Sequence, residues 1–137
     1  MYLSYYGGMQ TKGPRKNVLL ITDDVPEVKV MSATLEKANF HVLNVPYASA
    51  AVHRLLDSGE KIDVAIIDAT GTQDGEILQS LHERNPDVRL LFIAKGELAE
   101  DHGPAGHARG YIHKPVRRAH LLGTILKLIE TPSMFAA

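Results

Sequence analysis

The sequence predicts an α/β fold, a doubly wound five-stranded parallel sheet with helices on both faces. Three observations predict it. Short apolar runs of strand length alternate along the chain with longer segments whose apolar residues keep helical spacing. The runs are continuous rather than alternating, Val18-Leu19-Leu20-Ile21 and Val64-Ala65-Ile66-Ile67 among them, the pattern of strands buried on both faces of a parallel sheet. The connections are short, so each helix folds back onto the sheet as a crossover.

Residues 17–22 are the first strand. Residues 26–39 are a helix with Pro26 in its first turn, where a missing N–H costs nothing, and with Val28, Met31, Leu35 and Ala38 on one stripe. Residues 40–45 are the second strand. Residues 48–58 are the second helix, turning Ala51, Val52, Leu55 and Leu56 inward and stopping at Gly59. Residues 62–67 are the third strand. Residues 75–85 are the third helix, burying Ile77, Leu78 and Leu81, and Asn85-Pro86 ends it. Residues 88–94 are the fourth strand. Between 96 and 108, Gly96, Gly103, Pro104 and Gly106 damage any helix. Residues 109–113 are the fifth strand. Residues 116–130 are the last helix, striped with Leu121, Leu122, Ile125, Leu128 and Ile129. The domain is expected to span 17–131, after an extension at 1–16 made unusually aromatic by Tyr2, Tyr5 and Tyr6, and before a tail at 132–137.

The composition excludes several functions. The 137 residues suit one domain with a real core, and 45% hydrophobic with 23% charged content is ordinary for a globular protein. A net charge of −1 offers no bulk attraction for nucleic acid or anionic membrane. Cysteine is absent, which removes disulfides and thiolate sites and fits a reducing, cytoplasmic setting. No apolar run approaches the roughly 20 residues of a membrane span, and the N-terminus lacks the order of a signal peptide.

The chemistry gathers at strand ends. Asp23-Asp24 closes the first apolar run, Asp68 the third, and Lys114-Pro115 follows Gly110-Tyr111-Ile112-His113. Open α/β sheets bind ligands outside the carboxyl ends of their strands. Four charged side chains should therefore meet at one edge. Three carboxylates in one place require a cation among them, and oxygen-only ligands suit Mg²⁺.

In this arrangement the chain resembles the receiver domain of two-component response regulators, over about residues 17–130. The acid pair after strand one, an Asp ending strand three, Asp74-Gly75 opening helix three and Lys-Pro after strand five all match. None of these motifs is specific alone; their ordered placement is. The resemblance implies a flavodoxin-like (βα)5 fold with strand order 2-1-3-4-5. It implies that Asp68 is a phosphoacceptor taking a phosphoryl group from a phosphohistidine on a sensor histidine kinase or phosphotransfer protein. Asp23, Asp24, Asp68 and the backbone carbonyl of Thr70 would hold Mg²⁺, and Lys114 would pair with the phosphoryl oxygens. Pro115 is a candidate for a cis peptide bond. Output would pass to a downstream protein partner, without direct contact to nucleic acid or membrane, with a homodimer as an allowed assembly. No output domain follows residue 137, so the output would lie on another chain or a removed segment.

Two departures stand out. Ile93 occupies the position where the family carries the Ser or Thr of its switch, so one phosphoryl contact is missing. Asp74 follows Asp68 by six positions, one fewer than usual and without the usual Pro, which alters the loop bearing the Thr70 carbonyl. These departures favour a second reading, a degenerate receiver that binds partners without phosphate. A third reading starts from Asp68-Ala69-Thr70-Gly71-Thr72, which resembles the nucleophile motif of haloacid-dehalogenase-type phosphatases. Those enzymes place their metal-binding acids downstream of the nucleophile, whereas Asp23-Asp24 lies upstream.

Blander roles stand beside these. Asp23 and Asp24 singly read as helix caps, and Thr70 and Thr72 as turn hydroxyls. Tyr111 reads as the family's switch aromatic or as a packing residue. His102 and His107 read as solvated loop residues. Arg117, Arg118, His120 and Lys127 give the last helix a basic face, solvated or offered to a partner.

Overall fold

A computed structural model describes residues 13–68, 74–94 and 109–130. Five strands form one parallel sheet: β1 (Lys16–Ile21), β2 (Phe40–Val45), β3 (Val64–Asp68), β4 (Arg89–Ala94) and β5 (Arg109–His113). Their order is β2-β1-β3-β4-β5, as the resemblance implied. The described helices are α1 (Val25–Lys37), α2 (Ser49–Asp57), α3 (Asp74–Arg84) and α4 (Arg118–Glu130). Tyr2, Tyr5, Tyr6, Thr70, Thr72, His102, His107 and the weak segment 96–108 lie outside the described residues.

The sheet separates two cores. On one face Val18, Leu20, Ile66, Ile93 and Ile112 pack against Met31 and Leu35 of α1 and Leu121, Leu122 and Ile125 of α4. On the other, Leu19, Ile21, Ile67 and Phe92 pack against Val52 and Leu56 of α2 and Ile77 and Leu81 of α3. Successive strand residues alternate between these faces. That alternation explains why the runs are apolar throughout: β1 is fully buried from Val18 to Ile21.

Element ends differ from the expectation by one or two residues, and side chains account for part of this. Residues 62 and 63 were expected in the third strand, but β3 starts at Val64. Asn85 Oδ1 accepts from the Ile62 N–H at 2.9 Å and Asp63 Oδ2 accepts from the Asn17 N–H at 2.8 Å. These are lead-in contacts, made partly by side chains. The last helix starts at Arg118 rather than 116. α1 ends at Lys37 because Asn39 takes a positive φ of 71°, a conformation Asn tolerates better than most residues. Ala51 and Leu55, expected inward on α2, are only half-buried.

α4 lies close over β5. A Cβ on Gly110 would sit 3.0 Å from Thr124 Cγ2, 3.1 Å from Leu91 Cδ1 and 3.2 Å from Leu128 Cδ1. Glycine here lets the helix approach, and that approach sets the position of the strand carrying Lys114.

Candidate functional site

The parallel strands bring their carboxyl ends to one edge, and Thr22, Asp23, Asp24, Tyr47, Asp68 and Lys114 line a cavity of about 170 Å³ there. Asp68 is the last residue of β3, paired in register with Ile93 of β4. It shares its face of the sheet with Ile66 and Ile93. Its side chain is 7% exposed. Lys114 Nζ donates to Asp68 Oδ2 at 2.9 Å, and Thr22 Oγ1 donates to the same oxygen at 2.9 Å. Thr22 Oγ1 in turn accepts from the Asp24 N–H at 3.1 Å. A short chain of hydrogen bonds therefore links the β1–α1 turn to the end of β3. Asp68 Oδ1 is buried and has no partner among the described residues.

Asp24 caps α1. Its backbone is extended (φ −80°, ψ 94°) and Oδ1 accepts from the Glu27 N–H at 3.1 Å. That satisfies a donor every helix start leaves open. Asp23 Oδ1 accepts from the Tyr47 N–H at 3.1 Å, tying the first strand's exit to the second. Both acids are exposed at the rim.

The cap directs a residue that the sequence reading passed over. Glu27, in the first turn of α1, reaches Lys114 with Oε2 at 3.2 Å from Nζ. Its side chain is 14% exposed, and Oε1 is buried without a partner among the described residues. One ammonium thus serves two carboxylates. Burial pushes the Glu27 carboxyl above its usual range, and the hydrogen bond and charge of Lys114 only partly pull it back. For Lys114, burial alone would lower the ammonium's pKa. The hydrogen bonds to Asp68 and Glu27 outweigh that and raise it. Thr22 and Tyr47 were also passed over; Tyr47 OH is buried with no partner among the described residues.

The expected carboxylate set is only partly assembled. Asp23, Asp24 and Asp68 do line one cavity, but each is engaged separately, on Tyr47, on the α1 cap and on Lys114. Among the described residues no group of three or more His, Asp or Glu side chains is arranged to hold a metal. The donor chemistry nevertheless fits a small hard cation, because all the described candidates are carboxylate oxygens and Asp68 Oδ1 has no partner among the described residues. Asp23 and Asp24 would each give up one exposed hydrogen bond to turn inward, a cost of about 1 kcal/mol apiece. The carbonyl of Thr70 lies outside the described residues.

The remaining site residues fall into place as follows. The Lys114–Pro115 peptide is cis. Ile93 is fully buried in the core between the sheet and helices α1 and α4. Tyr111 lies on the opposite face, where its ring stacks on Phe92 with centroids 5.6 Å apart and planes at 20°. The basic residues Arg117, Arg118, His120 and Lys127 are exposed. A larger cavity of about 510 Å³ lies at the other end of the strands, lined by Lys16, Ile62, Asp63, Arg84, Asn85 and Arg89 among others. Its charges are mixed and none comes from the converging strand ends.

No protein-family model matches the sequence, and no curated protein matches it. Solved structures do match, 112 chains in all. A response regulator receiver protein from Sinorhizobium medicae is 21% identical with a TM-score of 0.71, covering 85% of this chain and 96% of its own. A response regulator from Thermotoga maritima is 23% identical at 0.70, covering 85% and 99%. Borrelia burgdorferi CheY, solved as a CheX-CheY-BeF3-Mg²⁺ complex, is 21% identical at 0.66, covering 87% and 92%. This is the receiver-domain fold. The likeness spans nearly the whole length of those structures and, at such identities, establishes architecture. Among the described residues no helix is long and apolar enough to cross a membrane.

Proposed function

We propose that this chain is a phosphoacceptor receiver domain of a two-component phosphorelay, with Asp68 as the acceptor. The observation that carries the reading is the state of Asp68. Its Oδ2 is held by Lys114 and Thr22, Oδ1 has no partner among the described residues, and the residue lines the cavity. A carboxylate oriented through one oxygen presents the other as nucleophile. Oδ1 would attack the phosphorus of a phosphohistidine or small acyl phosphate. The P–O(Asp) bond forms, the bond to the donor's leaving group breaks, and the pair of electrons departs with that group. Lys114, already at the site, would follow the new negative charge on the phosphoryl oxygens. Mg²⁺, when bound, neutralises charge on the transferring group; Asp23, Asp24, Asp68 and the Thr70 carbonyl would hold it. That the Borrelia CheY is solved with BeF3 and Mg²⁺ supports the choice of ion.

The chemistry goes no further than self-phosphorylation and self-dephosphorylation at Asp68, so the domain is a signalling element rather than a turnover enzyme. Its donors would be a sensor histidine kinase or phosphotransfer protein, and its readers protein partners in the cytoplasm. Similar domains occur in a sensory box/GGDEF protein and in an HD domain-containing protein.

One observation favours the degenerate reading. Ile93 stands beside Asp68 in register and on the same face, fully buried, with no hydroxyl to offer. Intact mass after incubation with acetyl phosphate and Mg²⁺ separates the two. The phosphoacceptor reading expects a gain of one phosphate, abolished by Asp68→Ala. No gain from either acetyl phosphate or a phosphorylated histidine donor would leave the phosphate-independent binding module.

A further inference from the structure

We propose that Glu27 sets the site's selectivity, competing with an incoming phosphoryl group for Lys114 and so weakening the site's hold on that group. The inference rests on the phosphoacceptor reading above.

Glu27 is not needed where it sits. A first-turn acid serves the positive end of a helix from the surface, where water solvates it. Here the Asp24 cap already satisfies the Glu27 N–H, and the Glu27 side chain turns inward to Lys114 at 3.2 Å. Among the described residues Oε1 is left buried and without a hydrogen bond. Burying a carboxylate oxygen unsatisfied is unfavourable, so the arrangement is held by the ammonium. The same ammonium sits 2.9 Å from Asp68.

A phosphoryl group on Asp68 carries about −1.5 to −2 charges at neutral pH. It needs the Lys114 ammonium, which Glu27 already shares. If Lys114 moves fully to the phosphoryl oxygens, Glu27 is left buried with a bare charge a short distance from another anion. If Lys114 stays shared, the phosphoryl group loses part of its cation. Either way the carboxylate opposes the bound anion, and it favours a cation at the same site. The two effects have opposite signs, which a packing defect would not produce.

The test uses the full chain with beryllium fluoride as phosphoryl analogue, at saturating Mg²⁺, followed by ¹⁹F and ¹H–¹⁵N NMR. Mg²⁺ alone is titrated separately. Glu27→Gln keeps the shape and removes the charge; Glu27→Ala removes both. The expected result is an analogue affinity raised about tenfold in both variants, the low end for one charge-assisted hydrogen bond because the site is partly wet. Mg²⁺ affinity should fall in both variants, because a nearby negative charge is removed, and a rise would overturn the inference. An analogue affinity unchanged or weakened by Glu27→Gln, with the wild type binding, overturns the inference and leaves the phosphoacceptor reading standing. Binding by Glu27→Gln where the wild type fails supports the inference in its strongest form. Binding by neither protein overturns the phosphoacceptor reading and the inference with it.

Discussion

Replacing Lys114 by Met should destabilise the fold by an amount that grows with pH. Met keeps most of the apolar stem and removes the ammonium. The structure gives that ammonium two partners, Asp68 Oδ2 at 2.9 Å and Glu27 Oε2 at 3.2 Å, with side chains 7% and 14% exposed. A hydrogen bond between charged groups contributes about 1.5–3 kcal/mol. Lys114 is itself 21% exposed, so solvent screens both contacts, and a combined loss of about 3 kcal/mol is expected at pH 7. For a domain of this size that lowers Tm by on the order of 10 °C. The pH dependence follows from Glu27. Burial already raises its pKa above 4.5, and Lys114 is what pulls it back. Without the lysine the folded-state pKa rises further. The folded state then binds protons more tightly than the unfolded chain, so stability falls as pH rises from 4.5 through the folded pKa. The penalty of Lys114→Met should therefore be smaller at pH 5 than at pH 8. Urea unfolding followed by circular dichroism at both pH values measures it. A penalty under about 1 kcal/mol, or one equal at both pH values, would show that the two carboxylates do not depend on the lysine.

Other outcomes follow from the same geometry. Asp24→Asn should leave stability nearly unchanged, because Asn caps helices as well as Asp, yet weaken Mg²⁺ binding by removing one anionic ligand; equal Mg²⁺ affinity by titration would place the ion elsewhere. Gly110→Ala should cost about 1–3 kcal/mol through crowding against Thr124, Leu91 and Leu128, and a urea midpoint at or above wild type would show that α4 gives way freely. Ile93→Thr should cost more than Ile93→Val in the free protein, since the hydroxyl enters an apolar core. With the phosphoryl analogue bound, that gap should narrow if the hydroxyl reaches the site, and an unchanged gap in thermal shift would show that it does not.

The order of elements was legible because both sheet faces are covered. Every strand residue from Val18 to Ile21 and from Val64 to Ile67 had to be apolar, and the first charged residue marked the strand's end. That is why Asp23, Asp24 and Asp68 could be placed without a structure. Glu27 could not be placed this way, because its approach depends on the turn of α1. An acid after Pro in a first turn is ordinary in sequence. The available signal was its spacing of three from Asp24, the interval over which an N-cap and an acid face the same helix end. Thr22 was read as the last strand residue, but its use lies in the hydroxyl that joins the Asp24 N–H to Asp68. The separate engagements of the three carboxylates were illegible for a related reason. Asp23 and Asp24 accept from particular backbone N–H groups, of Tyr47 and Glu27, and Asp68 from the side chains of Lys114 and Thr22, pairings invisible to a reading based on strand ends.

The sheet also constrains how a phosphoryl group on Asp68 could be sensed. Asp68, Ile93 and Ile112 share the face covered by α1 and α4, while Phe92 and Tyr111 share the face covered by α2 and α3. A hydroxyl at position 93 would give the phosphoryl group a direct handle on β4. Ile93 gives none, and its packing in the core resists displacement of the strand. The charged path runs the other way, from Asp68 through Lys114 to Glu27 on α1 and through Thr22 to the Asp24 cap. A ligand shifts an equilibrium only by its differential interaction with the two states, and among the described residues the groups whose interactions change with charge at Asp68 lie just after β1, on α1 and just after β5. A response to phosphorylation would then be read first at the start of α1 rather than at Tyr111, and chemical shifts of Asp24 to Val28 against those of Tyr111 distinguish the two routes.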